Sequence, residues 1–237
     1  MRQMLEANFE NVRSGVERAC ARAGRHPAAV KIVAVSKKQS VEKMNHYADY
    51  CRENSLPLIF GESYVQEFRD KKKSLQGNYS IHLIGKLQSN KAREAIRQFD
   101  LIESLHSEKL AHELNKEAAK EGKKQNVFVQ INISNDPQKS GFILTEAEDF
   151  ILGSMPALTN LTLKGLMTIT ENYDNLASAR EDYRSLEKFR HKIETILGFE
   201  SGRLALSMGM SHDYEVAIEE GADFIRIGTA LFGEREN

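Results

Sequence analysis

The alternation of short apolar runs with longer amphipathic stretches constrains the fold of this chain more than any other feature of its sequence. Several of the short runs are rich in β-branched residues, and apolar side chains occupy both of their faces. Such runs are typical of parallel strands that are buried on both faces. We predict eight of these strands, at residues 32–35, 58–61, 81–85, 101–103, 127–133, 163–169, 204–208 and 224–228.

The segments between the runs have the pattern of helices. The first such segment precedes every strand and carries an apolar stripe at helical spacing, formed by Leu5, Phe9, Val12, Val16 and Cys20. Gly24 followed by Pro27 predicts the end of this helix. Later in the chain, Thr145 and Glu148 have the spacing of a capping box, which predicts a helix running through Leu152.

Strands that are each followed by a helix or by the end of the sequence predict one α/β domain over residues 1–237, a single (β/α)₈ or TIM barrel. A barrel of this type typically has about 250 residues, and little of this chain follows the last strand. We expect the extra N-terminal helix to fill the outer position that is left empty there. The alternative is an open doubly wound sheet, but no Gly-x-Gly-x-x-Gly turn follows the first strand.

Composition and charge argue against several classes of protein. The 33 basic and 34 acidic residues give a net charge of −1, without the basic excess expected of a nucleic-acid-binding surface. No apolar run approaches the roughly 18 residues of a membrane helix, and charged residues near the N-terminus argue against a secretory signal. The seven histidines lack metal-binding spacing, and Cys20 and Cys51 are far apart. We expect a reduced, cytoplasmic protein without a bound metal.

A lysine follows the first predicted strand directly, as either Lys37 or Lys38. Functional groups of parallel barrels lie at the carboxyl ends of the strands, and partial burial there favours the neutral amine. A neutral amine is a nucleophile that can form a Schiff base with an aldehyde. The competing interpretation is a solvated lysine at the rim, and the apolar pattern of the strand does not choose between the two positions.

Small residues follow the last two predicted strands, where a helix could begin. The residues concerned are Gly209, Met210, Ser211, Gly228 and Thr229. Their backbone N–H groups and the two hydroxyls suit a phosphate, which barrels of this type often bind after strands seven and eight. Ordinary helix capping and tight turning would explain the same residues.

Arg226 occupies an inward-facing position in the last predicted strand. A buried cation needs either a charged partner or a ligand. We expect either an ion pair with a carboxylate in the barrel mouth, such as Glu62, or contact with a bound molecule.

Several segments together resemble the family of pyridoxal phosphate homeostasis proteins. They are Ala-Val-Ser-Lys at 34–37, Gly-Glu-Ser-Tyr-Val-Gln-Glu at 61–67, His-Leu-Ile-Gly-Lys-Leu-Gln-Ser-Asn-Lys at 82–91, Lys-Ser-Gly at 139–141, Lys-Gly-Leu-Met at 164–167, Leu-Ser-Met-Gly-Met-Ser at 206–211 and Ile-Arg-Ile-Gly at 225–228. The resemblance extends over nearly the whole chain. One departure is Ser63, where the family usually has Asn, and the shorter side chain leaves room for water beside a bound ring.

The resemblance implies a barrel like the N-terminal domain of alanine racemases, with pyridoxal 5′-phosphate held on Lys37 as a Schiff base. It assigns the phosphate to Met210, Ser211, Gly228 and Thr229, and it places Ser63 beside the cofactor. It directs Arg226 at the pyridine nitrogen, where a guanidinium disfavours protonation of the ring and weakens it as an electron sink.

Three functions remain to be weighed. The first is a monomeric, non-enzymatic protein that stores the cofactor or delivers it to apo-enzymes and balances vitamin B6 levels. The second is a racemase-like amino-acid enzyme, which needs an acid or base on each face of its substrate and, in racemases, a further domain. The third is a cofactor-free sugar-phosphate isomerase with Glu62 or Glu103 as the base. We favour the first.

Overall fold

The computed structural model describes residues 2–170 and 175–234, and its parallel strands close into a barrel. The strands are β1 (Lys31–Val35), β2 (Ile59–Glu62), β3 (Ser80–Leu83), β4 (Leu101–Leu105), β5 (Gln125–Ile131), β6 (Leu161–Thr168), β7 (Ala205–Ser207) and β8 (Phe224–Ile227). Each strand pairs in parallel with the next one along the chain, and β8 pairs with β1 to close the ring. The predicted (β/α)₈ architecture is confirmed.

Helices separate the strands and form the outer layer. The helices are α1 (Arg2–Arg22), α2 (Val41–Glu53), α3 (Val65–Lys71), α4 (Ala92–Gln98), α5 (Glu108–Lys120), α6 (Leu144–Asp149), α7 (Leu176–Leu197), α8 (Tyr214–Glu219) and α9 (Thr229–Phe232). Their apolar faces meet the outward side chains of the strands in one large core. None of these helices has the length and hydrophobicity needed to cross a membrane.

The interior of the barrel contains an apolar layer beneath a polar one. Two smaller clusters fill the apolar layer, and they consist of Val33, Val35, Ile59 and Ile84 and of Leu101, Phe128 and Met167. Phe224 packs against both clusters, and its ring lies 5.7 Å from the ring of Phe128. Because side chains alternate along a strand, the residues two positions after Leu101 and Phe224 also face inward. These are Glu103 and Arg226, which lie nearer the mouth.

Helix α1 occupies the outer position that the short α9 leaves uncovered. It packs against α2, α8 and α9. The ring of Phe9 lies 5.0 Å from that of Tyr47 on α2 and 6.3 Å from that of Phe232 on α9. The expected role of the extra N-terminal helix is confirmed, since the four residues of α9 are too few to cover β8 and β1.

The predicted capping box at Thr145 is wrong by two residues. Helix α6 follows Ile143, whose N–H donates to Glu146 Oε2 at 3.3 Å. The backbone then widens into a π-helical turn over Phe150–Ser154, so helical structure also runs beyond the predicted end at Leu152. An apolar residue in the capping position hides this boundary from the sequence pattern, because Ile offers no side-chain acceptor.

Candidate functional site

The carboxyl ends of the strands surround a cavity of about 230 Å³, termed here the inner cavity. Its lining residues are Val35, Lys37, Ile84, Ile169, Met210, Ser211, His212, Arg226, Gly228 and Thr229. Six of the seven residues that the sequence predicts for the site, all except Ser63, therefore line one cavity. They converge because the carboxyl ends of parallel barrel strands meet at the same end of the barrel.

The two lysines that follow β1 have different surroundings. Lys37 is half-buried and lines the inner cavity, whereas Lys38 is exposed and lies outside that lining. The backbone of Lys38 has a left-handed φ of 58°, and its N–H donates to Glu67 Oε1 at 2.5 Å. This turn separates the two amines, so the structure brings Lys37 and not Lys38 to the cavity.

The turn after β7 is built around a glycine and a buried carboxylate. Gly209 has a φ of 90°, and a Cβ at this position would lie 2.5 Å from the Cβ of Ala217. Asp213 accepts a hydrogen bond from the N–H of Met210 at 2.6 Å and another from the hydroxyl of Tyr183 at 2.6 Å. The N–H of Met210 is therefore engaged within the turn, and Met210 lines the cavity with its other atoms.

The turn after β7 is joined to the start of α9 after β8. The Ser211 hydroxyl accepts a hydrogen bond from the N–H of Ala230 at 3.4 Å. Thr229 is the first residue of α9, and the first N–H groups of a helix have no partner within the helix. Hydroxyl and backbone donors from two strand ends thus lie at one side of the inner cavity, an arrangement that suits an anion.

Arg226 is held by neutral groups on two neighbouring strands. Only 4% exposed, it donates through its two terminal nitrogens to the hydroxyl of Ser207 at 2.8 Å and to the carbonyl of Thr168 at 2.6 Å. The expected ion pair with Glu62 is wrong, because that carboxylate accepts instead from Ser36 at 2.8 Å and Lys71 at 3.0 Å. Burial lowers the pKa of the Arg226 guanidinium, and the charge of Glu103 opposes this shift.

Glu103 lies next to the candidate site. The sequence did not predict that it would be a neighbour of Arg226. It has no exposed surface, its Oε1 lies 2.6 Å from His82 Nδ1, and its Oε2 accepts from the Ser207 hydroxyl at 2.5 Å. Burial would raise the pKa of Glu103, but the hydrogen bond and charge of His82 and the charge of Arg226 hold it below its ordinary value. One feature of the sequence could have indicated this place: Glu103 is a carboxylate at an inward-facing position of an otherwise apolar strand.

A second cavity of about 250 Å³, termed the side cavity, adjoins the inner one. It is lined by Lys37, Ser63, Ile84, Gly85, Lys86, Gln130, Lys139, Ser140 and Ile169, of which Lys37, Ile84 and Ile169 also line the inner cavity. Ser63 therefore lies beside Lys37 but outside the inner cavity. A Cβ at Gly85 would lie 2.6 Å from the Cα of Ser63, so the loops after β2 and β3 are in close contact.

The two glutamates that the isomerase hypothesis names as the base are poorly placed for that role. Glu62 and Glu103 are both without exposed surface, and neither lines the inner or the side cavity. A general base must come within hydrogen-bonding distance of the proton that it removes. The arrangement therefore disfavours the isomerase hypothesis. Among residues 2–170 and 175–234, no three His, Cys, Asp or Glu side chains gather as a metal site.

Comparison with known proteins gives a consistent result along the chain. The model of the family described as alanine racemase, N-terminal domain, matches residues 8–236. A protein of Aquifex aeolicus named pyridoxal phosphate homeostasis protein is 35% identical over 222 residues, which cover 93% of this chain and 94% of the relative.

Two solved structures show the same architecture. The structure of PipY from Synechococcus elongatus with pyridoxal phosphate bound is 31% identical, has a TM-score of 0.75, and is matched over 92% of this chain and 100% of that chain. An alanine racemase of Clostridium difficile has a TM-score of 0.72 at 15% identity, covering 98% of this chain but 57% of that one. The likeness to the racemase concerns the fold alone.

Proposed function

The chain belongs to the family of the alanine racemase N-terminal domain and, within it, to the pyridoxal phosphate homeostasis proteins, and we propose from this premise that it binds pyridoxal 5′-phosphate reversibly to serve cofactor homeostasis. The observation that carries the proposal is the convergence of a lysine amine, an arginine and two hydroxyl-bearing turns on one cavity. When bound, the cofactor supplies an aldehyde that condenses reversibly with amines.

The residues of the inner cavity fit the parts of this cofactor. Lys37 is half-buried and offers its amine to the aldehyde. Of the two lysines that follow β1, it is the one that lines the inner cavity. Ser211, Gly228 and Thr229 offer hydroxyl and backbone donors for the phosphate. Gly228 suits this role because it lets the backbone come close to a ligand. Ser63 stands beside Lys37 from the side cavity and bounds the space next to the amine.

Arg226 favours a carrier over an enzyme of broad amino-acid chemistry. A guanidinium keeps its proton and can only donate hydrogen bonds, so it meets the pyridine nitrogen in its unprotonated form. An unprotonated ring withdraws electrons weakly, and this limits the chemistry that the cofactor supports. Lys37 then serves as a reversible tether, and apo-enzymes that need the cofactor are the proposed recipients.

The experiment that tests the tether is an absorbance titration of the purified protein with pyridoxal 5′-phosphate. We expect a visible band that borohydride abolishes, with the reduced pyridoxyl mass found on the peptide that contains Lys37. The Lys37→Met variant should lose the band. The matched Lys38→Met variant should keep it, since Lys38 lies outside the cavity. A label spread evenly over surface lysines, or a band retained by Lys37→Met, would contradict the proposal.

A second experiment distinguishes delivery of the cofactor from catalytic turnover of amino acids. Mixing the cofactor-loaded protein with an apo-enzyme that requires pyridoxal phosphate should restore the activity of that enzyme while the band of the donor declines. Incubation with amino acids in place of the apo-enzyme should leave their chirality and composition unchanged. Racemised or decarboxylated amino acids would favour the enzymatic alternative.

A further inference from the structure

Glu103 is a buried carboxylate that the proposed function does not use. It lies on β4, faces into the barrel and has no exposed surface. One carboxylate oxygen is fixed by His82 Nδ1 at 2.6 Å and the other by the hydroxyl of Ser207 at 2.5 Å. Burying an ionised carboxylate is costly unless it is paired and hydrogen-bonded, so its presence here calls for a partner charge.

Besides the charge of His82, Glu103 has the charge of Arg226 as a partner, and the hydroxyl of Ser207 lies between Glu103 and Arg226. Because the carboxylate can only accept, Ser207 must donate its proton to Glu103 and use a lone pair to accept from the Arg226 guanidinium. Without the carboxylate, the hydroxyl would be free to rotate and to turn its proton towards the guanidinium. Glu103 therefore fixes the direction of the hydroxyl and offsets the charge of Arg226.

The position of Arg226 matters because the same guanidinium lines the inner cavity. It has five N–H donors in a rigid plane, and its bonds to Ser207 and Thr168 use two of them, which leaves donors on that plane for a ligand. Two fixed points on neighbouring strands determine the orientation of such a plane. If one of them is lost, the cavity keeps its cation but loses the direction in which that cation donates.

We propose that Glu103 is a positioning residue that, through Ser207, orients Arg226 towards the ring of a bound pyridine-type cofactor. The inference rests on the proposed function for the identity of the ligand, but the alignment of Arg226 is a property of the ligand-free protein. Glu103 touches neither cavity, so it acts through Arg226 and not by contact with the ligand.

The first test uses ligand-free protein and NMR of ¹⁵N-labelled arginine side chains. In the wild type, we expect the Arg226 guanidinium to show slow proton exchange and slow rotation. Glu103→Gln should accelerate both, because the neutral amide no longer orders Ser207. Glu62→Gln is the matched control, since it neutralises the other buried barrel glutamate, whose partners are Ser36 and Lys71. Unchanged Arg226 signals in Glu103→Gln would overturn the proposal.

The second test separates contact with the ring from contact with the phosphate. Pyridoxine 5′-phosphate lacks the aldehyde but has the ring, and inorganic phosphate has only the anion. We expect Glu103→Gln to weaken binding of pyridoxine 5′-phosphate about tenfold, the size of one charge-assisted hydrogen bond, and to leave inorganic phosphate unaffected. Equal weakening of both ligands would show a general loss of the site and would overturn the proposed role.

Ser207→Ala provides a second variant in case Glu103→Gln does not fold. It breaks the link to Arg226 while leaving Glu103 beside His82. The two changes should not add, because both act on the same guanidinium. Additive losses would show independent effects and contradict the relay. If wild-type protein binds neither ligand, the proposed function fails, whereas the guanidinium signals still decide whether Glu103 positions Arg226.

Discussion

Gly228 illustrates how a single residue can affect binding without affecting the fold. Its φ is negative, at −112°, and an added Cβ would stand 3.4 Å from the Cβ of Val35, which is a van der Waals contact. Both residues line the inner cavity, so the added methyl group takes space that we assign to the ligand. We therefore propose that glycine at this position serves the approach of a ligand more than the packing of the chain.

We predict that Gly228→Ala weakens binding of pyridoxal 5′-phosphate about tenfold and changes the free energy of unfolding by less than about 1 kcal/mol. Absorbance titration and urea denaturation measure the two effects. Gly153→Ala is the matched control, since a Cβ there meets nothing within 4 Å and the residue does not line the inner cavity. A large loss of stability with unchanged binding would reverse the interpretation.

At the level of residues, the sequence predicts which groups reach the barrel mouth but not how they face each other. Lys37 is identified because it follows the end of the first apolar run, and Arg226 because it is a charged residue inside the last run. The choice between Lys37 and Lys38 depends on a left-handed backbone turn at Lys38 that no local pattern announces. The partner of Arg226 depends on which strands are neighbours on the interior face, which is why Glu62 was expected where Ser207 and Glu103 are found.

Helix α1 shows what an element outside the regular alternation contributes. Its apolar stripe seals the barrel where α9 is too short, and the segment after it is anchored by Arg25. The Arg25 side chain donates to the carbonyls of Ile218 at 3.0 Å and Ala222 at 2.6 Å and to Asp223 at 3.1 Å. These bonds attach the segment after α1 to the end of α8 and to the loop that precedes β8.

We predict that Arg25→Ala destabilises the protein by about 1–3 kcal/mol, because the part-buried carbonyl of Ala222 loses its donor and that of Ile218 loses one of its donors. Arg18→Ala, on α1 itself, is the control. Its side chain is 62% exposed and approaches Glu215 only to 3.7 Å, so we expect a change within about 0.5 kcal/mol. Urea denaturation of both variants measures the difference. Equal effects of the two changes would show that the anchor is unimportant.

The sequence predicts the strands well, because burial determines their apolar pattern. It predicts the start of α6 poorly, because that boundary depends on helix capping. All eight apolar runs became strands, since a strand buried on both faces has few polar positions to confuse its limits. β4 continues past its predicted end to Leu105, because polar residues are tolerated inside the barrel when they are hydrogen-bonded. The start of α6 was misplaced because Ile143, an apolar residue, precedes it.

For the whole molecule, closure of the barrel is what assembles the site. Lys37 and Arg226 are far apart in the chain, yet β1 and β8 are paired neighbours, with Val33 opposite Arg226. Any loss of closure therefore separates the amine from the guanidinium. The free energy of unfolding and the integrity of the candidate site should therefore change together. Conditions that destabilise the barrel should also weaken binding.

Low pH is one such condition, and His106 contributes to the pH dependence of the free energy of unfolding. Burial lowers the pKa of His106 from 6.5, although the hydrogen bond from its Nδ1 to the carbonyl of Ser104, at 3.0 Å, opposes the shift. The unfolded chain therefore binds a proton at a pH where the folded protein does not. By linkage, the stabilisation is present above pH 6.5 and is lost as the pH falls through the lowered value in the folded protein.

We predict that His106→Asn, which can keep a donor for Ser104, reduces the loss of stability between pH 8 and pH 5 without changing stability much at pH 8. The measurement is the free energy of unfolding in urea across this range for both proteins. The difference between them should be small above pH 6.5 and should grow below it, in favour of the variant, since only wild-type protein must keep a half-buried imidazole neutral. Parallel curves for the two proteins would show that His106 does not contribute to the acid sensitivity of the barrel over this range. Glu103 acts at lower pH, because its pKa is lowered from 4.5, so its stabilisation is present above pH 4.5 and is lost as the pH falls below that value.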